Sequence, residues 1–133
     1  MKARIGVMSE QLIRMRLLAI AQGKYTPRDN EPKVWYTSFN AISQILRPEN
    51  IELLRLIDSE KPESLTQLAE LAGRAKSNLS NTLKTLSEKG FVRLEPGAGK
   101  SIKPVALFTD FEIVTCSELE LYLMQLSLAK PAA

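Results

Sequence analysis

LTQLAELAGRAKSNLSNTLKTLSEKGFVRLEPGAGKSIKPVALF, residues 65–108, is the stretch that decides the fold. Ser64 immediately precedes it and Gln67 follows three residues later, the S-x-x-Q spacing of a capping box, in which serine and glutamine satisfy the orphan amides of a helix start. Leu65, Leu68, Ala69 and Ala72 then share one helical face, and Gly73 stands where the chain must turn left-handed. A second helix is predicted over 76–89, because Leu79, Leu83 and Leu86 follow one another by four and three residues and make a narrow apolar stripe. Gly90 closes it. Residues 91–95 and 102–108 read as two strands, and the glycine-bearing turn 96–100 joins them into a hairpin.

Upstream, Arg47-Pro48 ends one helix over 39–46 and opens another over 48–60, since proline disfavours the helical conformation before it but suits a first turn. The second of these should bury Ile51, Leu54 and Ile57, with Leu53 and Leu56 widening the stripe. Residues 34–37 have strand propensity. Trp35 and Tyr36 are adjacent there and so point to opposite faces, which favours core packing over a stacking platform. Residues 24–32, KYTPRDNEP, are rich in helix breakers and read as a linker. The first helix is expected over 9–22, capped by Ser9 and ended by Gly23, with Leu12, Ile13, Met15, Leu17, Leu18 and Ile20 leaving little polar surface. Downstream, residues 111–115 add a strand, and Ser117-Glu-Leu-Glu120 reads as a second capping box opening a last, nearly all-round apolar helix to about residue 129.

The expected architecture is mainly α with a small β-hairpin, an α+β fold in three stretches. These are an N-terminal helix and linker over 1–32, a compact domain over 33–115 and a C-terminal helix over 116–133. No run of apolar residues is long enough to span a bilayer, and Glu10, Arg14 and Arg16 interrupt the apolar start, so the cytoplasm is the expected compartment. Cys116 is the single cysteine and histidine is absent, which excludes an intrachain disulfide and a His/Cys metal site within one chain. No phosphate loop, dinucleotide fingerprint or nucleophile beside a base is present, so neither enzymatic activity nor a cofactor is expected. The net charge of +3 is unevenly spread: +5 over 1–47, −4 over 48–73, +5 over 74–104 and −3 over 105–133. A polyanion would prefer the two basic segments, one of which carries the second helix and the hairpin.

The order of elements, a leading helix, a capped short helix, a turn, a longer helix ending in glycine and a Gly-rich basic hairpin, resembles the winged helix-turn-helix core of MarR-like and ArsR-like bacterial and archaeal regulators. The resemblance covers roughly residues 48–108. Leu68, Ala69 and Ala72 match the first helix of the turn, Ser77 and Asn78 the polar start of the recognition helix, and Leu83, Leu86, Gly90 and Phe91 its L-x-x-L-x-x-x-G-(hydrophobic) ending. It implies a transcriptional regulator that binds double-stranded DNA. The Cys and His ligands of the metal-sensing branch are missing, and the flanking helices are shorter than those of drug-sensing members. The chain is also similar to small regulators that act as antitoxins, which would make a toxin its protein partner.

Helical geometry assigns a face independently. At about 100° per residue, the side opposite Leu79, Leu83 and Leu86 carries Ser77, Asn81, Lys84 and Glu88, with Asn78, Ser80 and Thr85 at or near its edges. Asparagine and serine can bond base edges, and lysine can reach guanine or phosphate. Arg74 and Lys76 flank the helix N-terminus, where free amides and the positive dipole end already favour phosphate. Arg93, Lys100 and Lys103 lie on the hairpin, and Gly97 and Gly99 are expected to let its tip approach the nucleic-acid backbone. The terminal helices are expected to form a homodimer through Leu17, Leu18, Leu119, Leu123 and Leu126.

Overall fold

The computed structural model describes residues 1–128. The helix end expected at 129 and the close of the 116–133 stretch lie outside the described residues. The elements run β1 (Lys2–Val7), α1 (Glu10–Ala21), β2 (Val34–Tyr36), α2 (Phe39–Ile45), α3 (Pro48–Glu60), α4 (Leu65–Ala72), α5 (Lys76–Glu88), β3 (Val92–Pro96), β4 (Ile102–Ala106), β5 (Asp110–Val114) and α6 (Ser117–Leu128). The fold is α+β, with a helix-turn-helix and an antiparallel hairpin. The chain divides into two compact units, one formed by residues 1–3 and 43–110, the other by residues 4–42 and the described residues from 111 onward. These boundaries differ from those expected at 33 and 115, because residues far apart in sequence fold together in the second unit.

The first unit holds the helix-turn-helix. Pro48 occupies the first turn of α3, and buried Asn50 ties that turn to the end of α2 by donating from Nδ2 to the Ile45 carbonyl at 2.7 Å. The Ser64 hydroxyl accepts from the Gln67 N–H at 3.1 Å, while Gln67 Oε1 accepts from the Glu63 N–H at 2.7 Å, so the capping box forms with its return bond one residue earlier than in the standard pattern. Gly73 caps α4 at φ +65°. Leu53, Leu54 and Ile57 of α3, Leu68 of α4, Leu79, Leu83 and Leu86 of α5, and Phe91 and Val92 make the buried core. Ile51 and Leu56 are only half-buried, so the inward face of α3 is centred on Leu53, Leu54 and Ile57 rather than on the expected stripe. Phe91 meets Phe108 edge-on, with ring centroids 6.5 Å apart.

The second unit is a small sheet with two helices. Its strand order is β2-β1-β5, and β1 pairs in parallel with β2, Ile5 opposite Val34 and Val7 opposite Tyr36. Gly6 lies opposite Trp35, and a Cβ at this position would fall inside the indole ring. The strand over 111–115 therefore joins β1 and not the hairpin. Ser9 caps α1 by accepting from the Leu12 N–H at 3.2 Å. Met8, Leu12 and Ala19 pack with Leu119 and Leu123 of α6, and Ile13, Met15, Tyr25, Trp35 and Cys116 close around them. Ser117 is the first helical residue of α6, and the Glu120 N–H bonds the Cys116 carbonyl at 3.1 Å, so Ser117 does not take the expected cap position.

Residues 24–32 pack against α1 and are not a free linker. Arg16, which sequence reading treats as a polar interruption of α1, is buried and donates from Nε and Nη2 to Glu31 Oε2 at 3.1 and 2.7 Å. The Tyr25 hydroxyl donates to the other Glu31 oxygen, and the Arg16 guanidinium lies 5.5 Å from the centre of the Trp35 ring. Both carboxylate oxygens and the guanidinium thus have partners, as a buried ion pair requires.

Candidate nucleic-acid interface

The candidate surface belongs to the first unit and is built from α5, the residues before it and the hairpin. Burying Leu79, Leu83 and Leu86 fixes the rotation of α5, so Lys76, Ser77, Asn78, Ser80, Asn81, Lys84, Thr85 and Glu88 are all exposed. Seven of them form the polar face that the helical geometry assigns, and Lys76 stands at the N-terminal end of the helix. Ala75 stands at the N-cap and offers no side-chain oxygen, so no side chain caps the first-turn amides of α5. Together with the helix dipole they make a site suited to a phosphate group. Thr85 is partly occupied at home, donating its hydroxyl to the Asn81 carbonyl at 3.2 Å.

Arg74 behaves differently from the free backbone clamp expected. It is half-buried, and its Nη2 donates to Asn78 Oδ1 at 2.7 Å and lies 3.5 Å from Thr82 Oγ1. The guanidinium therefore holds the Asn78 amide in place along the start of α5. Thr82 is not legible as part of this surface in the sequence, because its place between the apolar and polar faces gives no signal by itself.

In the hairpin, β3 and β4 pair from Val92 opposite Ala106 to Pro96 opposite Ile102. The turn closes with the Gly97 N–H on the Ser101 carbonyl at 2.8 Å and the Ser101 hydroxyl on the Ala98 carbonyl at 2.6 Å. Gly99 has φ +65°, as expected of a tip glycine. Gly97 has a different role: a Cβ there would press on the Ser101 side chain and approach the Glu63 carbonyl to 3.0 Å, so its bareness serves packing within the unit. The basic residues are not equivalent. Arg93 Nε lies 2.8 Å from Glu95, Lys103 Nζ lies 3.8 Å from Glu63, and Lys100 at the tip is exposed with no ion pair among the described residues. Lys100, Lys76 and Lys84 are thus the cations available to an incoming anion.

The leucines expected to form a dimer separate into two groups. Leu119 and Leu123 are 8% and 1% exposed and belong to the interior of the second unit, where α6 packs on α1, so they have no surface left for a partner. Leu126 is half-buried against the same core, whereas Leu17 and Leu18 are 58% and 54% exposed. Leu121, Met124 and Leu128 of α6, part of its nearly all-round apolar surface but not of the expected dimer set, are exposed as well, since an all-round apolar helix does not declare which side is covered.

Among the described residues no cluster of potential metal ligands occurs, and no helix is long and apolar enough to cross a membrane. A family model described as HVO_A0114 matches residues 45–113, the stretch holding the helix-turn-helix and hairpin. No curated protein matches the chain. Among solved structures, one described as the predicted DNA-binding transcriptional regulator from E. coli is similar at 14% identity and a TM-score of 0.44, over 86% of this chain and 97% of that one.

Proposed function

The chain belongs to the HVO_A0114 family, and we propose that it is a sequence-specific regulator of transcription that binds double-stranded DNA, with α5 in the major groove and the hairpin on the backbone or in the minor groove. The observation that carries this reading is the face of α5. Eight polar side chains stand exposed over a stripe of buried leucines, beside an N-terminus without a side-chain cap and a hairpin tip bearing Lys100. Asn81 and Ser77 are the base readers. Lys76, Lys84 and Lys100 are the phosphate contacts, and Arg74 positions Asn78. The protein acts without catalysis or cofactor, in the cytoplasm, as a homodimer on an inverted repeat whose half-sites lie about one helical turn apart. Exposed Leu17, Leu18, Leu121 and Met124 also favour a second reading, an antitoxin-type module that docks a partner protein such as a toxin.

Binding to a site selected from random duplexes, followed by anisotropy on that site and on a scrambled duplex, tests the assignment. Asn81→Ala should cost about 1–3 kcal/mol on the selected site and little on the scrambled one, because a base contact is lost. Lys100→Ala should weaken both by similar factors and flatten the salt dependence by about one unit, because one counterion fewer is released. Equal losses on both duplexes for Asn81→Ala would remove α5 as the reader, and failure to select any site would sink the reading altogether.

A further inference from the structure

The second unit contains a cleft of about 590 Å³ that the DNA-binding reading does not use. Its volume lies within the range of small-molecule sites. Tyr25, Trp35 and Tyr122 contribute aromatic wall, Val114, Leu119 and Leu121 aliphatic wall, and Cys116 lies among them. The Tyr25 and Tyr122 rings are in contact, with centroids 5.7 Å apart and planes tilted by 48°. Flat, largely pre-formed apolar surface of this kind takes up a flat apolar body.

The charges around the cleft are unequal in their commitments. Glu31 is engaged by Arg16 and by the Tyr25 hydroxyl, Arg4 lies 3.4 Å from Glu112, and Arg28 lies 3.9 Å from Glu118. Lys24 also lines the cleft, and it has no ion pair among the described residues. Each carboxylate of the lining therefore has a cationic partner, while one ammonium is left over. The Trp35 Nε1–H is shielded from solvent and has no acceptor among the described residues. The spare cation calls for an acceptor, and an anionic oxygen supplies it.

We propose that this cleft binds a small amphipathic carboxylate, its apolar body between the aromatic and aliphatic walls and its carboxylate at Lys24. Arg28, loosely held by Glu118, adds a second cation at the mouth. The inference is independent of DNA, so its success or failure leaves the DNA-binding reading untouched.

Naphthalene-1-carboxylate and its neutral amide serve as probes, titrated calorimetrically into the full chain. Cys116 is the only thiol and lines the cleft, so its alkylation by iodoacetamide, followed by intact mass, reports occupancy at this place. The carboxylate should bind saturably and slow alkylation, and the amide should bind about tenfold more weakly for want of a charge-assisted bond. Lys24→Gln, a surface change, should remove most of the difference between acid and amide. Equal affinity of acid and amide for the wild-type chain would overturn the proposal. So would saturation that leaves the Cys116 rate unchanged, or an acid preference that survives in Lys24→Gln.

Discussion

Tyr25 shows how a single residue can carry information that sequence patterns do not. Within KYTPRDNEP it reads as part of a polar linker, yet its phenol donates to Glu31, which in turn holds buried Arg16. Arg16 and Glu31 are fifteen positions apart, and nothing periodic joins them. Only the return of residues 24–32 onto α1 creates the pair. Burial first, then the hydrogen bond to Glu31 and that residue's negative charge, push the Tyr25 phenol up to about 12, against a smaller opposing pull from Arg16 and Arg28. Burial raises Tyr36 in the same direction. A phenol with a raised folded-state value keeps its proton longer in the folded chain than in the unfolded one. Its contribution is complete below about pH 10, the unfolded value, and is lost as pH climbs from there toward about 12. Urea midpoints should therefore hold from neutral pH to about pH 9.5 and then fall. Tyr25→Phe should be less stable than the parent at neutral pH, since the Glu31 carboxylate loses a donor, and should show a shallower alkaline decline. An identical alkaline slope in parent and variant would show that Tyr25 does not carry the effect.

At the scale of elements, legibility follows how local the cause is. The boundaries of α3, α4 and α5 rest on Pro48, Ser64 with Gln67, Gly73 and a leucine spacing, all within a few residues of their effect, and each stands in the structure close to its expected place. The second capping box fails because S-x-x-E is also a good sequence inside a first turn, and here the chain enters the helix one residue earlier, with the Cys116 carbonyl accepting the first bond of the ladder from the Glu120 N–H. Strand β1 is not legible in the sequence although Lys2 and Arg4 alternate with Ala3 and Ile5. Its alternation breaks at Gly6, whose side-chain-free surface is explained only by Trp35 on the neighbouring strand. The cap of α4 gives a clean energetic test. Ser64→Ala removes the oxygen that accepts from the Gln67 N–H and should cost about 1 kcal/mol, a fall of several degrees in the thermal midpoint. Thr66→Ala, at an exposed position in the first turn, is the control and should be neutral or slightly stabilising, because alanine is the better helix former. Equal losses for both variants in thermal melts followed by circular dichroism would show that the Ser64 cap contributes nothing of its own.

At the scale of the whole molecule, the sequence reads as three consecutive stretches, whereas the structure has two units, each formed by segments that are far apart in the sequence. Contact between distant segments is the part that a linear reading cannot see, and it redirects the question of assembly. Leu119 and Leu123 look like dimer residues in a list of leucines, but they are needed inside the second unit to cover Met8, Leu12 and Ala19. What remains for a partner is Leu17 and Leu18 on α1 with Leu121, Met124 and Leu128 on α6, all large apolar side chains that stand exposed. Association of two copies through an isologous contact would cover these residues and would bring two α5 helices into one assembly, as a two-fold DNA site requires. Sedimentation equilibrium at tens of micromolar should therefore give a dimer. The double change Leu17→Glu with Leu18→Glu should give a monomer with an unchanged circular dichroism spectrum, because neither side chain is required by the core of its unit. The same variant should retain weak, salt-sensitive binding to random duplexes, which depends on Lys76, Lys84 and Lys100, and lose tight binding to an inverted repeat, which depends on two helices acting together. A parent chain that sediments as a monomer in the absence of DNA would overturn the dimer and shift the weight to a partner protein at the same leucines.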